Sequence, residues 1–161
     1  MKALFICLTV LATTLVYVDP VNLLKPVNKV ESWRLEQAGD AKGEMKIEEE
    51  CVVFRTTVID STDWHVQAVQ TDLDLKDGKS YTIKFKARSP EEVTITLNAM
   101  IDKEDWHQIG LNEEVQLRKE FSDFKFDFTA DSTVSKKNRI SFVLGSAKGI
   151  VYIKELTLTA K

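Results

Sequence analysis

Residues 81–88 read YTIKFKAR, and this stretch decides the fold class. Its apolar residues occupy every second position, and hydroxyl or basic residues fill the positions between them. A period of two is that of a β-strand with one buried face, whereas an amphipathic helix repeats about every 3.6 residues. The stretch therefore predicts a half-buried strand.

The same alternation recurs on both sides of this strand. Residues 93–100 read VTITLNAM, and residues 124–128 read FKFDF. Turn-forming sequences separate such stretches, as in KDGK at 76–79 and SPEE at 89–92. Further strands are predicted at 33–35, 45–47, 51–55, 64–70, 115–117, 140–144 and 150–158. So many short strands predict an all-β fold of two packed antiparallel sheets, and the jelly-roll β-sandwich fits best.

Length and composition are those of one globular domain. The chain has 161 residues, 43% of them hydrophobic, with 22 Lys and Arg against 25 Asp and Glu and a net charge of −3. This apolar content argues against disorder. The slight excess of acid, spread along the chain, argues against a nucleic-acid partner, which would need a basic surface.

The amino-terminal residues differ from the rest of the chain. After Met1 and Lys2, residues 3–18 carry no charge and are mostly apolar, as in a secretory signal peptide. We therefore predict a signal peptide at 1–18, a linker at 19–30 that contains two prolines, and a β-sandwich module at 31–161. The predicted location is secreted or extracytoplasmic. A retained amino-terminal membrane anchor is the alternative, although the run is short for a transmembrane span.

The two outward faces of the predicted sheets differ in chemistry. Strands 81–88 and 124–128 turn charged side chains outward, which suits contact with water. Elsewhere the outward positions carry amides, hydroxyls, an imidazole and a guanidinium, at His65, Gln67, Thr94, Thr96, Asn98, Arg139 and Ser141. Such groups suit a ligand rich in neutral hydroxyls, and a sugar is the obvious candidate.

The tryptophans are the candidates for stacking on a sugar ring. Trp106 follows strand 93–100 within a charged loop, so we predict an exposed platform at the rim of this face; packing in the core is the alternative. Trp33 alternates with Leu35 and is predicted to be core. Trp64 shares its parity with Val66 and is also predicted to be core.

The chain resembles the CenC-type carbohydrate-binding modules of families four and nine over residues 33–158. The resemblance rests on many positions, among them DWHVQ at 63–67, GKSYTIKFKAR at 78–88, WHQIGL at 106–111 and NRISFVLG at 138–145. It implies a galactose-binding-domain-like jelly roll that binds β-glucan, xylan or a related polysaccharide or oligosaccharide in a cleft across one sheet. By position it implies ligand-binding roles for Trp106, His65, Gln67, Thr96, Asn98, Arg139 and Ser141.

Three departures from the family pattern stand out, one of which is Val143, at a position where an amide would help to bind a ligand. Glu36 occupies the place of an aromatic wall that would oppose Trp106. Lys154 and Glu155 replace an aspartate pair that holds a structural calcium ion in many members. Calcium prefers several oxygen ligands, so calcium is not favoured here and we expect no cofactor.

Catalytic motifs are missing from the sequence. It contains no His-Glu-x-x-His, no Gly-x-Ser-x-Gly and no glycine-rich phosphate loop. We therefore predict a non-catalytic module, with any glycoside hydrolase supplied by a separate chain. The alternative is a cell-surface structural or protein-interaction β-sandwich that has lost sugar binding.

Overall fold

The computed structural model describes residues 20–161, so the predicted signal peptide at 1–18 lies outside the described residues. The described chain is all-β, apart from short 3-10 helices at Val30–Ser32 and Asp63–His65. No helix within 20–161 has the length and apolar character to cross a bilayer. The strands are β1 (Arg34–Gln37), β2 (Lys42–Glu48), β3 (Cys51–Val58), β4 (Val66–Leu73), β5 (Ser80–Arg88), β6 (Thr94–Ile101), β7 (Gln108–Gln116), β8 (Ser122–Thr129), β9 (Asn138–Val143) and β10 (Gly149–Ala160).

These strands form two antiparallel sheets of five strands each. One sheet has the order β1-β4-β9-β6-β7, and the other has the order β2-β3-β10-β5-β8. Most neighbours in the sheets are not consecutive in the chain, so connections pass repeatedly from one sheet to the other. The predicted jelly-roll β-sandwich is confirmed.

The core lies between the sheets and is built from the alternating apolar residues. Tyr81, Ile83 and Phe85 of β5 are all at most 2% exposed. The Phe85 ring meets Phe142 of the opposite sheet edge-on, with centroids 5.3 Å apart. Trp33 is buried, as predicted, and packs 5.2 Å from the Phe54 ring. Such edge-to-face contacts add specificity to the burial of apolar area, so the period of two is what assembles the sandwich.

Strand β7 is longer than the sequence indicated. The prediction covered only 115–117, whereas the strand begins at Gln108 and lies at the edge of its sheet. Ile109, Leu111 and Val115 are buried, but Glu113 occupies the inward parity and is exposed. An edge strand tolerates a charged residue at such a position because one of its sides has no neighbouring strand. Glu113 also interrupts the apolar alternation, so the sequence pattern did not reveal the full strand.

The segment predicted as a linker, 19–30, makes ordered contacts in its described part. Leu24 is buried, and the Leu23 N–H donates to the Leu158 carbonyl at 2.8 Å. The Asn22 side chain donates to the Leu156 carbonyl at 3.2 Å and accepts from the Leu158 N–H at 2.9 Å. The folded unit therefore takes in residues from Asn22 onward, because these hydrogen bonds fix the segment to β10.

Candidate ligand-binding cleft

A cleft of about 710 Å³ crosses the outer face of the sheet β1-β4-β9-β6-β7. Its floor follows the register of the sheet, in which Gln67 lies opposite Val143 and Val143 lies opposite Thr96. Asn98 of β6 and Asn112 of β7 form the next pair along the floor. Four of these five side chains are uncharged hydrogen-bonding groups, so the floor offers donors and acceptors with no net charge.

Trp106 lines the cleft from the β6–β7 loop, and its side chain is 47% exposed. The ring lies over the guanidinium of Arg139, with 4.9 Å from Cζ to the ring centroid. At this distance a cation attracts the face of an indole. Arg139 therefore supports one side of the ring, while the ring remains open to solvent elsewhere.

Trp64 supplies a second aromatic side chain to the cleft, and its predicted place in the core is wrong. It is 54% exposed and lines the cleft. The alternation fails here because strand β4 begins only at Val66, and the preceding residues form a 3-10 turn, in which side chains do not alternate. The cleft thus has two tryptophans despite Glu36 at the position where the resemblance places a wall.

The turn that carries Trp64 is held by neighbours on β4 and after β9. The side-chain amide of Gln67 donates to the Trp64 carbonyl at 2.9 Å. The Gly145 N–H donates to the Asp63 carbonyl at 3.0 Å. Gly145 is packed so closely that an added Cβ would lie 2.2 Å from the Asp63 oxygen. A side chain at position 145 would therefore displace the turn.

Gly145→Ala is expected to move Trp64 and to destabilise the domain. Overpacking of this kind costs about 1–3 kcal/mol, or a fall in Tm of roughly 3–10 °C for a domain of this size. Gly149→Ala is the matched control, because its Cβ would meet a side-chain atom of Val93 at 3.1 Å instead of backbone. Thermal melts of both variants test this, and equal Tm values for the two would contradict it.

Arg139 sits at the centre of a network of four charged side chains. Its side chain is only 3% exposed, and Nη1 donates to Glu36 at 2.9 Å and to Asp102 at 3.5 Å. Arg34 of the edge strand β1 donates to Glu36 and Asp102, each at 2.6 Å. The hydrogen bond to Asp102 raises the pKa of Arg34. Two cations and two anions cancel, so the network adds structure without adding net charge to the cleft.

The remaining predicted site residues differ in their access to the cleft. Gln67, Thr96, Asn98 and Arg139 line it. Ser141 shares their face, opposite Asn98, but it is fully buried and does not line the cleft. The side-chain oxygens of Asn98 and Ser141 and the Nε of Arg139 are buried without a hydrogen-bond partner.

His65 does not line the cleft, although the alternation placed it with Gln67. Its Nδ1 donates to Asp60 at 2.7 Å, which holds the pKa of Asp60 below its ordinary value. The ring meets Trp64 edge-on, with centroids 4.3 Å apart. The 3-10 turn again explains the difference, because His65 precedes the first strand residue.

Seven residues that line the cleft are not among the predicted site residues, namely Glu36, Asp63, Trp64, Met100, Gln108, Asn112 and Val143. Gln108 and Asn112 lie on β7, which was not predicted at these positions. A signal was present, because Gln108, Gly110 and Asn112 alternate with buried Ile109 and Leu111. Trp64 also had a signal in the sequence. Its tripeptide Asp-Trp-His, at 63–65, occurs again at 105–107 around Trp106, which was predicted to be exposed.

Lys154 and Glu155, which the resemblance places at a calcium-binding position, have partners within the protein. Glu155 pairs with Lys86 at 2.8 Å, and the Lys154 ammonium lies 4.3 Å from the Phe121 ring centroid. Within residues 20–161, no three His, Cys, Asp or Glu side chains come together in a way that would hold a metal ion. The Glu155 carboxylate is thus already paired with a cation of the protein.

Comparison with known families identifies the class of domain. Residues 27–149 match the profile of the carbohydrate-binding domain family that joins families four and nine. This match covers most of the chain, so the chain belongs to this family, the CenC-type carbohydrate-binding modules. Domains of this family are generally non-catalytic. Among curated protein sequences, none is significantly similar to this chain.

Solved structures show the same fold. A carbohydrate-binding module of family four is 23% identical with a TM-score of 0.74, over 86% of this chain and 93% of that one. The amino-terminal cellulose-binding domain of β-1,4-glucanase C from Cellulomonas fimi is 17% identical with a TM-score of 0.68, over 89% and 98%. A xylan-binding domain from Paenibacillus barcinonensis is 11% identical with a TM-score of 0.56, over 88% and 95%.

Proposed function

We propose that this protein is an exported, non-catalytic module that binds a neutral polysaccharide, of the β-glucan or xylan class, in the cleft described above. The observation that carries the proposal is the pair of half-exposed tryptophans, Trp64 and Trp106, beside a floor of uncharged amides and hydroxyls. Trp rings offer a flat apolar surface to the C–H face of a pyranose. Exposure of two large aromatic rings to water in one cleft is otherwise unfavourable.

The polar floor suits the hydroxyl groups of such a ligand. Asn98, Asn112 and Gln108 carry amides that donate and accept at once, and Thr96 adds a hydroxyl. The Oδ1 of Asn98 is buried without a partner at the cleft floor, and it accepts from a sugar hydroxyl once the side chain turns toward the cleft. A buried polar atom without a partner costs about 1–3 kcal/mol, which a ligand hydroxyl would offset.

Two residues predicted to bind the ligand are already engaged within the protein. Arg139 donates to Glu36 and Asp102, and the amide nitrogen of Gln67 donates to Trp64. We therefore assign them supporting roles, in which Arg139 packs against the Trp106 ring and Gln67 holds the turn that carries Trp64. His65 supports Trp64 from behind the cleft, and Ser141 lies beneath the floor.

The carboxylates of the cleft favour binding over hydrolysis. Glycoside hydrolysis needs one protonated acid and one carboxylate on opposite sides of the scissile bond. Glu36, one of the two carboxylates that line the cleft, accepts from both Arg34 and Arg139 and is therefore engaged within the protein. We infer that any hydrolysis of the bound polysaccharide requires a catalytic domain separate from this module. The predicted signal peptide and the extracellular setting typical of such modules support export.

A polysaccharide binding panel tests the proposal. Purified protein is run in native gels that contain β-1,4-glucan, β-1,3-glucan, xylan or a polyuronate, and hits are measured by calorimetry. We expect retardation by at least one neutral polysaccharide and none by the polyuronate. No retardation by any of them, together with capture of a cell-surface protein, would favour the alternative of a protein-interaction sandwich.

A further inference from the structure

The two cleft tryptophans belong to copies of one tripeptide, and the copies differ in their histidines. His65 bonds Asp60 through Nδ1, and this is its one side-chain hydrogen bond among the described residues. His107 bonds two oxygen atoms. Its Nδ1 donates to Asp105 Oδ2 at 2.8 Å, and its Nε2 donates to the Ser132 carbonyl at 2.8 Å.

Two oxygen acceptors can be satisfied only by an imidazole that carries both protons. Neutral histidine has one N–H, so one oxygen would then face a nitrogen lone pair. Hydrogen bonding to Ser132, and then to Asp105, raises the pKa of His107 above its ordinary value. The charged groups that act on the ring are Asp105 from its own loop and Asp131 from the β8–β9 connection, and both are acidic. The surroundings therefore favour the imidazolium.

The backbone around Trp106 adopts a conformation that contacts from neighbouring residues must hold. Asp105 has a φ of 89° and Trp106 a φ of 45°, and neither is glycine. Residues in this left-handed region persist where neighbouring contacts hold them. His107 follows directly, and its bond to Ser132 ties this loop to the β8–β9 connection.

We propose that His107 is a positioning residue whose imidazolium holds Trp106 in the cleft, so that polysaccharide binding weakens as pH rises through the titration of His107. This inference rests on the proposed function of the cleft. The protonated ring makes both hydrogen bonds, so its contribution is fully present at acidic pH. Loss of one proton removes one of the two bonds, so the contribution of that bond is lost on the alkaline side of the titration.

Binding measured across pH tests the proposal. With the polysaccharide that the panel identifies, Kd is expected to rise about three- to tenfold between about pH 5.5 and about pH 8.5, the effect of one charge-assisted hydrogen bond. His107→Gln should bind more weakly at acidic pH and should show a flat profile. His65→Gln is the matched control from the other tripeptide, and it should keep the pH dependence whatever its affinity. A wild-type Kd that stays constant across the range would overturn the proposal, as would an unchanged pH profile in His107→Gln.

A measurement without ligand separates this inference from the proposed function. The His107 ring and the indole N–H of Trp106 are followed by NMR as pH rises. We expect the His107 titration to have a midpoint above about 6.5, the ordinary value, and the Trp106 indole signal to shift with the same midpoint. An indole signal that does not follow the His107 titration would show that His107 does not position Trp106, even if the protein binds polysaccharide. If no polysaccharide binds, the proposed function fails, while the indole signal still tests whether His107 positions Trp106.

Discussion

Replacing Trp64 and Trp106 together by alanine is expected to abolish retention on polysaccharide while Tm changes by no more than a few degrees. Each ring is about half exposed, so each contributes little to the core. In a binding site, an aromatic anchor of this kind contributes about 2 kcal/mol, or roughly 30-fold in Kd. The double variant should therefore lose about a thousandfold, and each single variant an intermediate amount.

Matched aromatic substitutions elsewhere in the sandwich control this experiment. Tyr152 lies on the outer face of the opposite sheet, so Tyr152→Ala should leave binding intact. Trp33 is 7% exposed, and Trp33→Ala should lower Tm strongly, because truncating a buried Trp costs about 3–5 kcal/mol. A fall in Tm for Trp106→Ala as large as that for Trp33→Ala would show that the Trp106 ring is packed and not a platform.

Arg139→Met is expected to destabilise the domain by about 3 kcal/mol, with a fall in Tm of roughly 10 °C. The side chain is 3% exposed, and its loss leaves Glu36 and Asp102 with Arg34 as their only cation in the network. It also removes the support under the Trp106 ring. Denaturant unfolding measures the first effect, and Trp fluorescence reports the second.

An exposed ion pair provides the comparison for Arg139. Lys86→Met breaks the pair with Glu155 on the other sheet, where the side chains are 34% and 57% exposed. Exposed pairs contribute at most about 1 kcal/mol, so this variant should unfold almost as the wild type does. Arg139→Lys should recover part of the loss, because lysine restores the charge but not the planar fork. Equal unfolding free energies for Arg139→Met and Lys86→Met would show that the network adds nothing to stability.

The fold could be predicted from the sequence because alternation is a local property of each strand. The apolar positions of residues 81–88 and 140–144 are buried as expected, and each of the ten predicted strands overlaps an observed strand over most of its predicted length. β7 was largely missed because Glu113 interrupts its inward positions. Edge strands lose their pattern first, since only part of their surface is covered.

The candidate site was less predictable, because it depends on contacts between distant segments. Parity placed Gln67, Thr96, Asn98 and Arg139 on one face, and the structure brings these four together. Parity failed for Trp64 and His65, where a 3-10 turn replaces the strand. The partners of Arg139 could not be foreseen either, because Glu36 lies 103 residues away in sequence. Ion pairs of this kind follow from topology and register, which no local pattern encodes.

The bond between Leu23 and Leu158 places the start of the described chain beside its last strand, and residue 161 bonds Ser80 close by. None of these residues lines the cleft. A dye, an affinity handle or a biosensor surface coupled at residue 161 would therefore leave the two indoles unobstructed. Oriented capture through that end should preserve full glycan capacity, which makes the domain convenient to work with as an immobilised probe.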